Sequence, residues 1–296
     1  MYNSIAEIVE VATKEKKHIW ELMLEQEMQY SRESKEEVWG KMEHQLDVML
    51  AAAKRGTSGD GVFSPTGLTG GEAAKMRKYR EAGHGLTDET VLYAIENSLA
   101  TNEVNASMGL ICATPTAGSS GTIPGVLFAL QKKRSLTKDQ MVAFLFCASA
   151  FGMVTANNAM IAGATGGCQA EVGSASGMAA AAAVEICGGT PTQAAEAFAM
   201  ALSNLLGLVC DPVAGLVEIP CVKRNVVGSV NALAAADMAL AGLENKIPAD
   251  EVILAMKRIG KRLPAQLRET GLGGLAATPT GIKMRLKIFG QELDLD

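Results

Sequence analysis

The stretch GATGGCQAEVGSASGMAAAAAVEICGG, residues 163–189, sets a cysteine between a glycine pair and a run built almost wholly of alanine. From Met141 to Val184 the only charged side chain is Glu171, three residues after Cys168. A helix this apolar on every side has to be buried by others, and its small side chains let neighbouring backbones approach closely. The following GGTP turn, Gly188–Pro191, stops one helix and places a proline to open the next. The spacing predicts helices over 173–187 and 191–206, each about 22–24 Å long at 1.5 Å per residue, folded back as an antiparallel hairpin.

That hairpin has a chemical consequence. Cys168 lies just before its first helix and Cys210 just after its second, so the two thiols are expected at one end. Cys187 is expected at the other. Eleven residues beyond Cys210 comes Cys221, in CDPVAGLVEIPCVKRN (210–225), where Pro212, Gly215 and Pro220 predict a loop that wraps a centre. Cys112, Cys147 and Cys187 read as small apolar fillers. Cys168, Cys210 and Cys221 stand apart as candidate metal ligands, although no paired C-x-x-C knuckle supports them and spacing alone leaves a purely structural role open.

His18, His44 and His84 all lie far upstream, so a four-ligand zinc site is poorly supported. Three thiolates suit an iron–sulfur cube with one iron left open, and an open iron is a Lewis acid able to take a substrate oxygen. That favours dehydration chemistry over electron transfer.

The remainder of the chain agrees with an all-α, multi-helix fold. With 296 residues and only 4% aromatics, a substantial core has to be filled by Ala, Gly and Met. The first hundred residues read as amphipathic surface helices. Ser34 and Glu37 form a capping box for a helix ending at Gly56, the loop RGTSGDGVFSPTGLTGG follows, and helical spacing returns in GEAAKMRKYREAG and TDETVLYAIENSLA.

Val104–Leu130 carries no charge, and its ATPTAGSSGTIPG (113–125) is too turn-rich for a helix interior. Further helices are expected over 137–155, 226–243 and 250–262, while GIKMRLKIF fits a strand or a helix. The expected organisation is one helical unit over 1–296, with amphipathic N-terminal helices over 1–60 and a catalytic core over 104–280.

Twenty-seven Lys and Arg against 32 Asp and Glu, without a basic block, argue against a nucleic-acid partner. The N-terminus lacks an apolar leader, so a cytoplasmic location is expected. Asn157, Asn158, Gly163, Gly166 and Gly167 break the uncharged run 141–170, which therefore reads as a core helix plus loop and no membrane span.

Four long motifs carry a resemblance: TNEVNASMGLICATPTAGSSG, GATGGCQAEVGSASGMAAA, CDPVAGLVEIPCVKRN and LRETGLGGLAATPTG. Over nearly the whole chain the sequence resembles the α chain of the iron–sulfur-dependent, two-chain bacterial L-serine dehydratases. The resemblance implies a [4Fe–4S] cluster on Cys168, Cys210 and Cys221, L-serine as substrate, and pyruvate and ammonia as products. It places substrate binding on the loop Thr116, Ala117, Gly118, Ser119, Ser120 and Gly121.

The serine-rich motif of the family's other domain is absent, which implies a separate β chain and a hetero-oligomer. Single-chain relatives have a C-terminal cysteine that occupies the open iron. Here no cysteine follows Cys221, so inhibition by a tail thiolate is not expected.

In the mechanism so implied, amides of the 116–121 loop with the Ser119 and Ser120 hydroxyls are candidates for the substrate carboxylate. Arg224 and Asn225 are further candidates, since an arginine fork suits a carboxylate. The base is not identified by the sequence; Glu171 and Lys223 are the candidates within this chain. Rival readings are a pyridoxal-phosphate dehydratase, disfavoured by the absence of lysine from 141–184, a non-enzymatic redox sensor built on the same thiols, and a dehydratase acting on another small hydroxy or amino acid.

Overall fold

Alanine decides the architecture. In the computed structural model, which describes residues 2–290, helix α9 (Ser174–Ile186) is buried along nearly its whole length, with Ala179–Ala182 inaccessible to solvent. It is enclosed by α6 (Thr122–Arg134), α7 (Lys138–Asn158), α10 (Pro191–Ser203) and α11 (Cys221–Leu240). It packs tightly against α10. A side-chain carbon added at Gly177 would lie 2.7 Å from the Phe198 ring, which is itself stacked on Phe151 at 5.3 Å between centroids. α10 opens at Pro191, with Thr190 accepting from Gln193 N at 3.2 Å and Gln193 Oε1 accepting from Thr190 N at 2.9 Å. The hairpin expected from the glycine–proline turn is therefore present.

Around this centre lie α1 (Ile5–Glu15), α2 (Ile19–Ser31), α3 (Lys35–Thr57), α4 (Glu72–Glu81), α5 (Glu89–Ala106), α12 (Ala249–Arg262) and α13 (Pro279–Phe289), with a single turn, α8, at Gly163–Gly166. The described residues form helices and connecting loops, with two isolated β-bridges and no sheet. Ser34 and Glu37 cap α3 reciprocally, and GIKMRLKIF is helical in α13. The tail 291–296 lies outside the described residues.

Three expectations are corrected. α5 is not a surface helix. Most of its second half is buried, and three of its polar side chains are paired within the fold: Glu96 with Arg80 at 2.8 Å, Ser98 with Ser229 at 2.9 Å, and Glu103 on the N–H groups of Glu72 and Ala73.

The turn-rich stretch ends at Gly121 rather than Gly125. Thr122 already begins α6, because Pro124 falls in the first turn, where a missing N–H costs nothing. The helix expected from 226 begins five residues earlier, at Cys221, with Pro220 just outside it. α7 is the one described helix long and apolar enough to cross a bilayer, and 72% of its apolar window is buried inside the fold.

Gly177→Val should destabilise the chain by about 1–3 kcal/mol, because two interlocked rings leave the added methyls nowhere to go; urea unfolding measures it. Glu185 ties α9 to α2 by accepting from Ile19 N at 2.6 Å and Trp20 N at 3.1 Å. Burial raises its pKa above 4.5 despite those bonds. Its stabilising effect is thus full below 4.5 and is lost as the pH rises through the folded value. In Glu185→Gln, the fall in stability with rising pH just above 4.5 should be shallower, as read from denaturant midpoints across pH 4–7.

Candidate active site

The end of the hairpin that carries Cys168 and Cys210 is closed by one buried amide. Gln169 donates to Gly166 O at 2.9 Å and to Met256 O at 3.1 Å, and accepts from Gly207 N at 2.9 Å; its own N–H donates to Leu208 O at 2.9 Å. The chain leaving α10 is thereby stitched to the chain entering α9. Cys168 and Cys210 pack together against Val172. Between Cys168 and α9, residues Gln169–Gly173 form one widened π-turn, a local distortion frequent at functional sites, and it carries Glu171 inward.

Cys221 is the first residue of α11, where unpaired helix amides favour an anionic thiol. The three thiols are 3%, 2% and 7% exposed, and charge on one is felt by the others. Burial raises all three pKa values, that of Cys168 to about 12, and repulsion from Glu171 adds to each. Cys187 caps the far end of α9 beside Lys133, Arg134 and Asp237, away from the trio.

Two carboxylates share the site. Thr116 Oγ1 donates to Glu171 Oε1 at 2.7 Å, and Glu171 Oε2 lies 4.0 Å from Cys210 Sγ. Gly163 makes room for both, since a side-chain carbon there would lie 2.6 Å from Glu171 Oε2 and 2.9 Å from Cys210 Sγ. Desolvation first, then Glu269, pushes the Glu171 pKa up. Glu269 arrives from the segment after α12, and ligand atoms of Glu171, Cys210 and Glu269 all fall within 4.8 Å of one another.

Glu269 lies in the motif LRETGLGG, but nothing in the sequence marks it as a site residue. What brings it here is a backbone strap, Cys210 N to Leu267 O at 2.9 Å and Glu269 N to Cys210 O at 2.8 Å, and such a strap has no sequence period.

The other candidates divide. Arg224 faces the cysteines, donating to Val209 O at 2.8 Å and pairing with Asp211 at 2.8 Å, and its charge lowers the pKa of Cys168 and Cys221. Asn225 is fully buried and committed to scaffolding. It accepts from Gly121 N and Thr122 Oγ1, both at 3.0 Å, and donates to Gly118 O at 2.7 Å and Cys221 O at 3.0 Å. It ties the 116–121 loop to the Cys221 turn.

Ser119 and Ser120 are likewise buried. Ser119 Oγ donates to Thr114 O at 3.0 Å, and Ser120 accepts from Asn102 at 3.5 Å. Of that loop, Ala117 is exposed while Thr116 and Gly118 are half-buried beside Glu171, and Ala117 and Gly118, first in a short helical turn, have amides without an intrahelical acceptor. Lys223 does not face the thiols. Two residues along a helix from Cys221 it points elsewhere, and it is exposed and paired with Glu72 at 2.7 Å.

A cavity of about 810 Å³ lies at the other end of α9 around Trp20, Trp39 and Glu185, and includes none of these residues.

Fold and site define a class: an all-helical chain with three buried thiols and two carboxyls gathered beside one arginine, a donor set fit for a metal centre. The family profile described as "Serine dehydratase alpha chain" matches residues 14–276, and the chain belongs to that family. It is 57% identical to the probable L-serine dehydratase alpha chain of Bacillus subtilis, over 99% of this chain and 97% of that one. To the L-serine dehydratase alpha chain of Peptoniphilus asaccharolyticus it is 43% identical, over 96% and 97%. Against L-serine dehydratase 2 of Escherichia coli the identity is 38%, over 86% of this chain but only 57% of the other.

Asn225→Ala should leave the buried Gly121 amide without its acceptor, a penalty of about 1–3 kcal/mol. Hydrogen exchange over 117–122 should rise roughly tenfold or more, with little change in α1–α3.

Proposed function

We propose that this chain is the catalytic α chain of a cytoplasmic, iron–sulfur-dependent L-serine dehydratase, which acts with a separate β chain to convert L-serine to pyruvate and ammonia. The observation that carries the reading is the gathering of Cys168, Cys210 and Cys221, all buried, with Glu171 and Glu269, where burial first and then repulsion from neighbouring anions raise the pKa of all three thiols. Such a set is stable as anions only around added positive charge. Thiolates are the usual ligands of iron–sulfur clusters, and Cys168, Cys210 and Cys221 would hold a [4Fe–4S] cluster here. The relatives' names support serine as the substrate, and the label "alpha chain" supports the β partner.

When bound, the cluster supplies a Lewis-acidic iron that makes the serine hydroxyl a better leaving group. The protein's own contribution is positional. In this reading the amides of Ala117 and Gly118, which lack an intrahelical acceptor, take the substrate carboxylate, which also makes the α-proton easier to remove. Arg224 is already committed to Val209 and Asp211, so it serves the thiolates in preference to the substrate.

Glu171, fixed by Thr116 between that loop and Cys210, is the better placed of the two candidate bases; Lys223 points away. Loss of the α-proton and the hydroxyl gives aminoacrylate and water. Tautomerisation to the imine and hydrolysis then release pyruvate and ammonia.

The test is to prepare the α–β assembly without oxygen and measure iron, acid-labile sulfide and pyruvate formed from L-serine. Cys168→Ala, Cys210→Ala and Cys221→Ala should each lose cluster and activity, while Cys187→Ala keeps both. Equal loss in all four variants would refute the assignment.

A further inference from the structure

Glu269 is unlike the other inward carboxylates of this chain. Glu96 has Arg80, Glu103 and Glu185 each have two backbone amides, Glu218 has the hydroxyls of Thr66 and Thr69, and Asp211 has Arg224 and the Leu275 amide. Glu171 has Thr116. The half-buried Glu269 carboxylate has no hydrogen-bond or ion-pair partner among the described residues, yet an oxygen of it lies within 4.8 Å of both Cys210 Sγ and a Glu171 oxygen. Its charge there opposes theirs.

The backbone holds it in this position. Cys210 and Arg268 form a parallel bridge, with Cys210 N on Leu267 O at 2.9 Å and Glu269 N on Cys210 O at 2.8 Å. Glu269 itself is left-handed, at φ 63°, a conformation that costs any residue with a side chain. A strained residue held by its own amide on Cys210, with an unpartnered carboxylate within reach of that cysteine's sulfur, is arranged as a metal ligand is.

We propose that Glu269 is the resting ligand of the centre: without substrate its carboxylate takes the iron position that the three cysteines leave open, and the substrate hydroxyl displaces it. The proposal rests on the iron–sulfur reading above. It adds that this chain carries its own occupant for the open position, on a strap fixed to a ligand cysteine. Because that occupant competes with substrate, apparent affinity is reduced by the fraction of molecules in which it is bound.

The experiment compares the native α–β assembly with Glu269→Gln and Glu269→Ala, all loaded anaerobically with 57Fe. Iron and sulfide are measured first, then Mössbauer spectra without serine, then steady-state kinetics. In the native protein one iron of the four should differ from the three thiolate-bound ones. In both variants that component alone should shift. The KM for L-serine should fall, by about tenfold if the carboxylate holds the iron in about nine molecules of ten.

Fully loaded variants whose spectra superimpose on the native one, or whose KM rises, would overturn the proposal while leaving the cluster assignment intact. A native assembly that binds no cluster would overturn both.

Discussion

One buried side chain, Gln169, fixes the geometry on which the site depends. Its amide and backbone join the turn before α9, the turn after α10 and the body of α12 through four hydrogen bonds near 3 Å. Without that closure the two alanine-rich helices would still pack, but nothing would hold Cys168 and Cys210 at a common level. Buried amides with every group satisfied are costly to disturb, because each broken bond leaves a desolvated donor or acceptor behind. The same economy recurs at Asn225, which joins the 116–121 loop to the Cys221 turn. Two neutral amides thus position a site whose own groups repel one another.

That repulsion gives the site its character. Three thiols and two carboxyls crowd a region where burial already disfavours charge, and the cation that acts on Cys168 and Cys221 among the described residues, Arg224, is partly buried and has two other partners. Stability alone would favour apolar residues at these positions. A metal centre reverses the balance, since its positive charge converts each repulsive neighbour into a ligand or an acceptor.

The hairpin was legible in the sequence because its signals are local: small residues on every face of one helix, a Gly-Gly-Thr-Pro turn, and helix lengths that match. Those lengths separated Cys187 from Cys168 and Cys210, as the fold does. Cys221 was harder to place. Pro220 reads as a helix breaker and ends the expected loop, but it sits just before the first turn, where proline is harmless, so Cys221 itself opens a helix.

Lys223 and Asn225 were singled out for their proximity to Cys221 in sequence, whereas helical geometry turns one outward to Glu72 and the other into the scaffold. Ser119 and Ser120 fell to the same cause, since hydroxyls in a tight loop serve the loop's own backbone first. Glu269 carried no periodic or spacing signal, because nearly sixty residues separate it from Cys210.

The most direct measurement is a crystal structure of the α–β assembly grown without oxygen, with anomalous data at the iron edge. One compact iron peak is expected between the sulfurs of Cys168, Cys210 and Cys221, beside Glu171 and Glu269. Iron bound elsewhere, or those three sulfurs facing an iron-free space in an active enzyme, would contradict the cluster assignment.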